Sequence, residues 1–134
     1  MKNKKLFFLG FLTLFIFAIF FFFSKPQSSK KIISYQLQNK TYRLYTAENS
    51  AEWGQGLMNY KKLDGVDGMI FVFPNKQYRS FWNKNTLMNL DIYWLDDDVV
   101  VGKSYLPAIK EGESETIVNS PKPANKVIEL EIKK

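Results

Sequence analysis

Residues 81–95, FWNKNTLMNLDIYWL, form the most apolar part of the chain outside the N-terminus. The segment nevertheless carries polar residues, among them Asn83, Lys84, Asn85, Thr86 and Asp91. A buried amide or hydroxyl without a partner costs about 1–3 kcal/mol, and an unpaired buried charge costs more. We therefore expect this segment to contain either a structural network of polar groups or a binding site.

Short apolar segments on both sides of this stretch predict a mainly-β domain. Apolar and polar residues alternate at positions 33–37 and 42–44, on either side of Asn39-Lys40, which indicates a β-hairpin. The apolar run at 69–73 predicts a buried strand that ends at Pro74. Further strands are expected at 78–82, 90–95, 99–106, 116–119 and 127–132, with Asp96, Asp97 and Asp98 as a hairpin tip.

One helix is expected between residues 47 and 60, with Thr46 or Ser50 as its N-terminal cap. Gly54 and Gly56 each disfavour a helix interior by about 1 kcal/mol, so this helix should be short. About eight short strands and one short helix predict a jelly-roll-like sandwich or barrel.

The composition argues against several kinds of chemistry. The 134 residues include no cysteine and no histidine, so the chain lacks thiolates, the usual zinc ligands and the commonest general base. We therefore expect no metal, no cofactor and no catalytic residue. The formal net charge is +6, but Lys2, Lys4 and Lys5 precede the apolar N-terminal run and the other cations are scattered. This distribution does not favour nucleic-acid binding.

Residues 6–23 are apolar apart from Gly10 and Thr13. As a helix this run would span roughly 27 Å, close to the ~30 Å hydrocarbon core of a membrane. A cleaved signal peptide is the alternative, but bulky phenylalanines stand where cleavage needs a small residue. We therefore predict a single-pass protein of the cell membrane, with a cytoplasmic tail at 1–5, an anchor at 6–23, a linker at 24–31 and an extracytoplasmic domain at 32–134.

Three motifs occur in order along this domain: Gly56-Leu57-Met58, then GMIFVFP at 68–74, and then FWNKNT at 81–86 followed by Leu90-Asp91. Together they resemble the bacterial family known as domain of unknown function 192, an uncharacterised ancient conserved region. The resemblance extends from about residue 42 to residue 130. It implies a mainly-β, jelly-roll-like fold and frequent export or membrane anchoring, and it implies no reaction.

The chain departs from the family pattern at two positions. Asn83 replaces the usual methionine of this family, and Asn89 replaces the usual proline. Because an amide stands where a flexible apolar side chain would sit, we expect Asn83 to face solvent or a polar cavity.

The polar residues of segment 81–95 form a candidate binding site. In an extended strand, Trp82, Lys84 and Thr86 would share one face. Lys84 and Asp91 would then pair across a pocket, while Asn85 and Thr86 would present donors to a sugar or a carboxylate. The alternative is that Asn85 and Asp91 hydrogen-bond backbone groups of the adjoining turn.

Two other groups allow both a functional and a structural interpretation. The aromatic residues would form a saccharide platform or, as the composition of β proteins favours, part of the core and its rim; they are Trp53, Tyr60, Tyr78, Trp82, Tyr93 and Trp94. The three aspartates at 96–98 are interpreted as a solvated turn rather than a calcium site.

These observations predict a membrane-anchored envelope protein whose β domain binds a glycan or a protein without catalysis. The alternative is a small histidine-independent hydrolase or lyase that uses Lys84 and Asp91. A third interpretation, a structural partner of another membrane protein, would require an exposed apolar patch on the domain.

Overall fold

The structure is a computed structural model and describes residues 30–133. Within that range the chain forms eight strands and one helix: β1 Ile32–Leu37, β2 Lys40–Ala47, α1 Ser50–Gln55, β3 Gly68–Gln77, β4 Ser80–Trp82, β5 Leu90–Asp96, β6 Val99–Leu106, β7 Ile117–Asn119 and β8 Ala124–Glu131. The prediction of a mainly-β domain with eight short strands and one short helix is confirmed.

Six of the strands form one sheet in the order β1-β2-β3-β8-β5-β6. Neighbouring strands in this sheet are antiparallel except β2 and β3, which are parallel and are connected by a crossover that carries α1. The other two strands, β4 and β7, form a separate antiparallel ribbon. The last of the eight described strands, β8, lies inside the six-stranded sheet between β3 and β5.

The six-stranded sheet is open, so the expectation of a closed barrel is wrong. Strands β1 and β6 are its two edges. A side chain connects β1 to the β5–β6 hairpin, because the Tyr35 hydroxyl donates a 2.9 Å hydrogen bond to Asp98. The Nζ of Lys126, in β8, lies 2.7 Å from the same carboxylate. The division into six and two strands also differs from the paired sheets of a jelly roll.

Two apolar clusters lie on opposite faces of the sheet because side chains alternate along each strand. In β3, Met69 and Phe71 belong to one cluster, whereas Ile70 belongs to the other. In β8, Val127 and Ile128 divide in the same way. We call the cluster that contains Phe71 the helix-side cluster, because residues of α1, of the loop after it and of the β4–β7 ribbon pack against it.

The helix is shorter than the predicted segment and has a different cap. The Asn49 side chain accepts a 3.1 Å hydrogen bond from the backbone N–H of Glu52. The expected caps are wrong, because Thr46 lies in β2 and Ser50 is the first helical residue. Gly56 follows the helix with a φ of 47°, a left-handed value that glycine adopts without steric cost.

Strand β3 continues beyond Pro74, where the predicted strand ends. Its pairing with β8 is regular as far as Val72 and resumes at Gln77, with a shift of register between them. Pro74 lies in this irregular part, where its missing N–H removes no regular ladder hydrogen bond.

The predicted tail at 1–5 and anchor at 6–23 lie outside the described residues, as does most of the linker at 24–31. Among residues 30–133, no helix has the length and apolar character needed to cross a membrane.

Gly68 lies where β3 passes very close to β8. A Cβ atom at this position would lie 1.8 Å from the carbonyl oxygen of Glu129, a backbone atom of the central strand. We expect Gly68→Ala to lower the free energy of unfolding by at least about 2 kcal/mol, because one of the two strands must shift. Denaturant-induced unfolding measures the change.

Gly54→Ala is the matched control, since no atom lies within 4 Å of a Cβ built at Gly54. This variant should gain roughly 0.5–1 kcal/mol from its better helix propensity. Equal stability of the two variants would contradict the close approach of β3 and β8.

Candidate functional site

A cleft of about 280 Å³ opens on the helix-side face of the sheet, between the end of α1 and strand β4. Six of the residues that line it are aromatic: Trp53, Phe71, Phe73, Tyr78, Phe81 and Trp82. Gln55, Arg79, Ser80, Thr86 and Glu129 are the polar side chains in its lining. The cleft therefore combines an apolar wall with a few polar groups, which is typical of small-ligand sites.

Glu129 lies in the wall of the cleft formed by the central strand β8. Its neighbours across the strands are Met69 in β3 and Ile92 in β5, both completely buried. Only 5% of Glu129 is exposed. The carboxyl group thus belongs to the helix-side face, where the surrounding side chains are largely apolar.

No residue in the range 30–133 forms a side-chain hydrogen bond or an ion pair with the Glu129 carboxyl group. Burial raises the pKa of Glu129 to about 8, and the Lys30 ammonium opposes this rise only in part. At neutral pH the group is therefore mostly a neutral carboxylic acid, which has one O–H donor as well as acceptor oxygen.

Gly56 keeps the wall of the cleft open beside this acid. A Cβ atom on Gly56 would lie 3.4 Å from the Phe71 ring and 4.0 Å from Oε2 of Glu129. The positive φ of Gly56 adds strain to any larger residue. The GLM motif therefore supplies a backbone conformation as well as space in the cleft.

Arg79 is held rigidly at the cleft. Its guanidinium carbon lies 3.5 Å from the centroid of the Phe73 ring. Its Nε donates a 2.9 Å hydrogen bond to the Ala124 carbonyl, and one Nη donates a 2.7 Å hydrogen bond to the Asn75 carbonyl. The structure therefore fixes one positive charge in the cleft lining before any ligand arrives.

Lys30 lies at the edge of the cleft. Its Nζ donates a 3.0 Å hydrogen bond to the Gly56 carbonyl and lies 5.2 Å from the centroid of the Tyr60 ring. Burial lowers the pKa of Lys30, while Glu52 and Glu129 oppose that change electrostatically. The point at which the chain enters the domain is therefore next to the cleft.

The structure brings only some of the predicted binding residues to this cleft. Trp82 and Thr86 line it. Lys84 is exposed, with its Nζ 4.9 Å from the centroid of the Trp82 ring. Asn85 is an exposed turn residue with a φ of 51°, and its carbonyl accepts a hydrogen bond from Asn59.

The expected pairing of Lys84 with Asp91 is not what the structure shows. Leu90 and Ile92 belong to the helix-side cluster, so Asp91, which lies between them in β5, points to the opposite face of the sheet. Its carboxylate forms an ion pair of 2.9 Å with Lys103. The alternation of side chains in β5 thus separates Asp91 from the cleft.

Asn83 is buried, so the expectation that it faces solvent is wrong, but its surroundings are polar as the other alternative requires. Its Nδ2 donates a 3.0 Å hydrogen bond to the Pro107 carbonyl, and its Oδ1 accepts a 2.7 Å hydrogen bond from the Thr116 N–H. Asn89 acts similarly, accepting a 2.9 Å hydrogen bond from the Ala108 N–H. The structural network of polar groups exists, but Asn83 and Asn89 form it rather than Asn85 and Asp91.

The remaining aromatic and acidic candidates lie outside the lining of the cleft. Trp94 is a core residue whose Nε1 donates a 2.9 Å hydrogen bond to Ser104, and Tyr93 packs against the cluster on the other face. At the predicted aspartate turn, Lys76 contacts Asp97 and Lys126 contacts Asp98. Within residues 30–133, no group of three or more acidic side chains is arranged to hold a metal ion.

A family model for domain of unknown function 192 (DUF192), an uncharacterised ACR, matches residues 32–133. The chain belongs to the DUF192 family. This result confirms the resemblance based on the GLM, GMIF and FWNKNT motifs. A search of curated proteins gives no match to the chain.

Two crystal structures are similar to this DUF192 domain. A protein of unknown function from Novosphingobium aromaticivorans shares 27% identity, with 79% of this chain and 77% of that chain covered and a TM-score of 0.64. A protein from Sinorhizobium meliloti, provisionally assigned as a transcription regulator, shares 24% identity, with 79% and 84% covered and a TM-score of 0.63. The second similarity shows the fold alone.

Sequence reasoning missed two polar residues of the cleft in this DUF192 domain, Glu129 and Arg79. In the segment VIELEI, the glutamates alternate with apolar residues, which is the pattern of a strand with one solvated face. Glu129 is buried all the same, because α1, the loop after it and the β4–β7 ribbon cover its face of the sheet. No local signal in the sequence shows which face these distant elements cover.

The buried carboxyl group should make the stability of the domain depend on pH. The pKa of Glu129 in the folded state is about 8 and its ordinary value is 4.5, so above pH 4.5 the folded state holds a proton that the unfolded state has lost. The contribution is complete at low pH and falls by about 1.4 kcal/mol per pH unit as the pH rises toward 8. Thermal unfolding across this range measures the decline.

Glu129→Gln should remove most of this decline, because glutamine is neutral throughout the range. Glu115→Gln, at an exposed carboxyl group, is the matched control and should retain the wild-type decline. An identical decline in wild type and Glu129→Gln would contradict a protonated, buried Glu129.

Proposed function

We propose that this DUF192 protein is a non-catalytic binding protein of the cell envelope and that its ligand, a glycan, occupies the Glu129 cleft. The observation that carries the proposal is a carboxyl group, 5% exposed, that lines an aromatic cleft and forms no hydrogen bond with another described residue. Polar groups with so little exposure normally have a hydrogen-bond partner. A ligand that forms this hydrogen bond would offset the cost of removing the carboxyl group further from water.

A glycan fits the aromatic walls. Tyr78 is 72% exposed and Trp82 is 46% exposed, which is unusual for side chains of this size. Aromatic rings on a cleft wall offer flat apolar faces to the C–H groups of a sugar ring, while Glu129 and Arg79 offer hydrogen bonds to its oxygen atoms.

Binding is favoured over hydrolysis by the number of acids in the cleft. Among residues 30–133, Glu129 is the single carboxyl group in the lining of the cleft, whereas most glycoside hydrolases use a pair of carboxyl groups on either side of the bond. The alternative of a hydrolase or lyase that uses Lys84 and Asp91 loses support, because Asp91 lies on the opposite face of the sheet and pairs with Lys103.

We further propose that residues 6–23 anchor the protein in the membrane and that the cleft lies near its surface. Lys30 binds the Gly56 carbonyl at the cleft edge, and seven residues from position 24 to position 30 span at most roughly 25 Å. The mass of the intact protein extracted from membranes should equal that of the full chain. Recovery of a chain that begins after residue 23 would indicate cleavage and contradict the anchor.

A protein partner is the second candidate ligand. Three large apolar side chains are exposed around a second groove of the domain: Leu87, Tyr105 and Ile132. Exposed apolar side chains that line one groove are typical of contacts between proteins. This groove is separate from the Glu129 cleft, so the two candidates are distinguishable by mutation.

We expect Trp82→Ala to weaken binding of soluble cell-wall oligosaccharides by the full-length protein about threefold to tenfold, through the loss of one aromatic contact. Isothermal titration calorimetry on protein in lipid nanodiscs measures the change. Tyr105→Ala is the matched control, because Tyr105 is a similarly exposed aromatic residue, at 55%, outside the cleft. Loss of binding in Tyr105→Ala with normal binding in Trp82→Ala would favour the second groove and contradict the proposed site.

A further inference from the structure

We propose that the cleft recognises an oxyanion on its ligand, a carboxylate or phosphate group, which is bound by the carboxyl group of Glu129 and attracted by Arg79. The proposal rests on the proposed function and specifies the chemical class of the ligand. Its source would be an acidic envelope glycan.

The charged groups near Glu129 are cationic. Across the sheet its neighbours in β3 and β5 are Met69 and Ile92, which carry no charge. The segment before β4 contributes the Arg79 guanidinium to the cleft lining, and the entry of the chain contributes the Lys30 ammonium at the edge. Lys30 is the charged group that acts on Glu129 electrostatically.

A negative charge, that of Glu52 in α1, acts on Lys30 electrostatically. The Glu52 carboxylate also accepts a 2.7 Å hydrogen bond from the Glu48 N–H. The Lys30 Nζ lies 6.0 Å from the centroid of the Tyr45 ring and 5.2 Å from that of the Tyr60 ring. With Glu129 protonated, the cleft lining itself therefore carries a net positive charge, from Arg79.

Arg79 and Glu129 both have a hydrogen bond left to donate. In Arg79, Nε and one Nη are bound to the carbonyl groups of Ala124 and Asn75, while the other Nη forms no hydrogen bond within residues 30–133. Glu129 in its neutral form has an O–H to donate. A guanidinium and a carboxylic acid are both donors to an oxyanion, and donors bound to an ionised acceptor form the stronger class of hydrogen bond.

A positively charged ligand group is disfavoured in this cleft. A cationic group would enter a cleft that already holds Arg79 and has Lys30 at its edge, and like charges at close range are unfavourable. It would also require Glu129 to ionise among Met69, Ile92 and Phe71, which burial opposes.

This arrangement links binding to a proton. An oxyanion stabilises the protonated form of Glu129, so its affinity should be nearly constant at lower pH and should fall up to tenfold per pH unit above about 8, the pKa of Glu129. A cationic ligand would show the reverse dependence, because it stabilises the ionised form.

The experiment uses the full-length protein in phosphatidylcholine nanodiscs and four sugars that differ at one group. They are glucose, glucuronate, glucose 6-phosphate and glucosamine, compared by isothermal titration calorimetry near neutral pH. We expect glucuronate or glucose 6-phosphate to bind at least about tenfold more tightly than glucose, the size of one charge-assisted hydrogen bond. The affinity for the acidic sugar should then fall between about pH 7 and about pH 9.

Two variants test the roles of the two residues. Glu129→Gln keeps a neutral donor but cannot ionise, so at about pH 9 it should bind the acidic sugar at least about fivefold more tightly than wild type. Arg79→Gln should weaken binding of the acidic sugar at least about tenfold and leave the affinity for glucose within about twofold. Because Arg79 also binds Asn75 and Ala124, thermal unfolding of this variant establishes that it is folded.

The outcomes separate the inference from the proposed function. Glucose or glucosamine binding as tightly as the acidic sugars would overturn the oxyanion inference and leave glycan binding intact. An affinity for the acidic sugar that does not change with pH would overturn the role of Glu129. No binding of any of the four sugars would instead overturn glycan binding, and the inference with it. Phosphatidylglycerol in the nanodisc identifies the source, because competition with the acidic sugar would show that the oxyanion is a lipid phosphate.

Discussion

The burial of one carboxyl group in the central strand is the constraint on which the rest of the cleft depends. Glu129 lies between Met69 and Ile92, where an ionised group would be strongly disfavoured. The protein accommodates it by leaving space beside it, through Gly56, and by keeping it protonated. An apolar residue at this position would pack more favourably against the same neighbours, so its presence in the core favours a role in binding over a role in stability.

Much of the fold follows from local patterns that the sequence displays. The alternation around Asn39-Lys40 predicts the β1–β2 hairpin, and the aspartates at 96–98 predict the turn between β5 and β6. The arrangement of the strands does not follow from such patterns. The parallel pairing of β2 with β3 and the insertion of β8 between β3 and β5 depend on contacts between residues far apart in the chain.

The candidate site was less predictable for the same reason. Segment 81–95 does contain a polar network, formed by Asn83 and Asn89. Asn83 replaces a side chain that is apolar in the usual family motif, and its partners Pro107 and Thr116 are distant in sequence. Trp82 and Thr86 reach the cleft. Asp91 does not, because its position in β5 directs its side chain to the other face of the sheet. The register of a strand within a sheet decides which face each of its side chains occupies.

The position of β8 has a consequence for how the chain acquires its structure during synthesis. This strand is translated after the other seven described strands, yet it connects β3 to β5 in the sheet. Until residues 124–131 emerge, the earlier strands form two separate groups, β1-β2-β3 and β5-β6, with no ladder between them. The domain therefore completes its sheet only after β8 has been synthesised, and a chain that stops before residue 124 would expose the two strand edges that β8 normally joins.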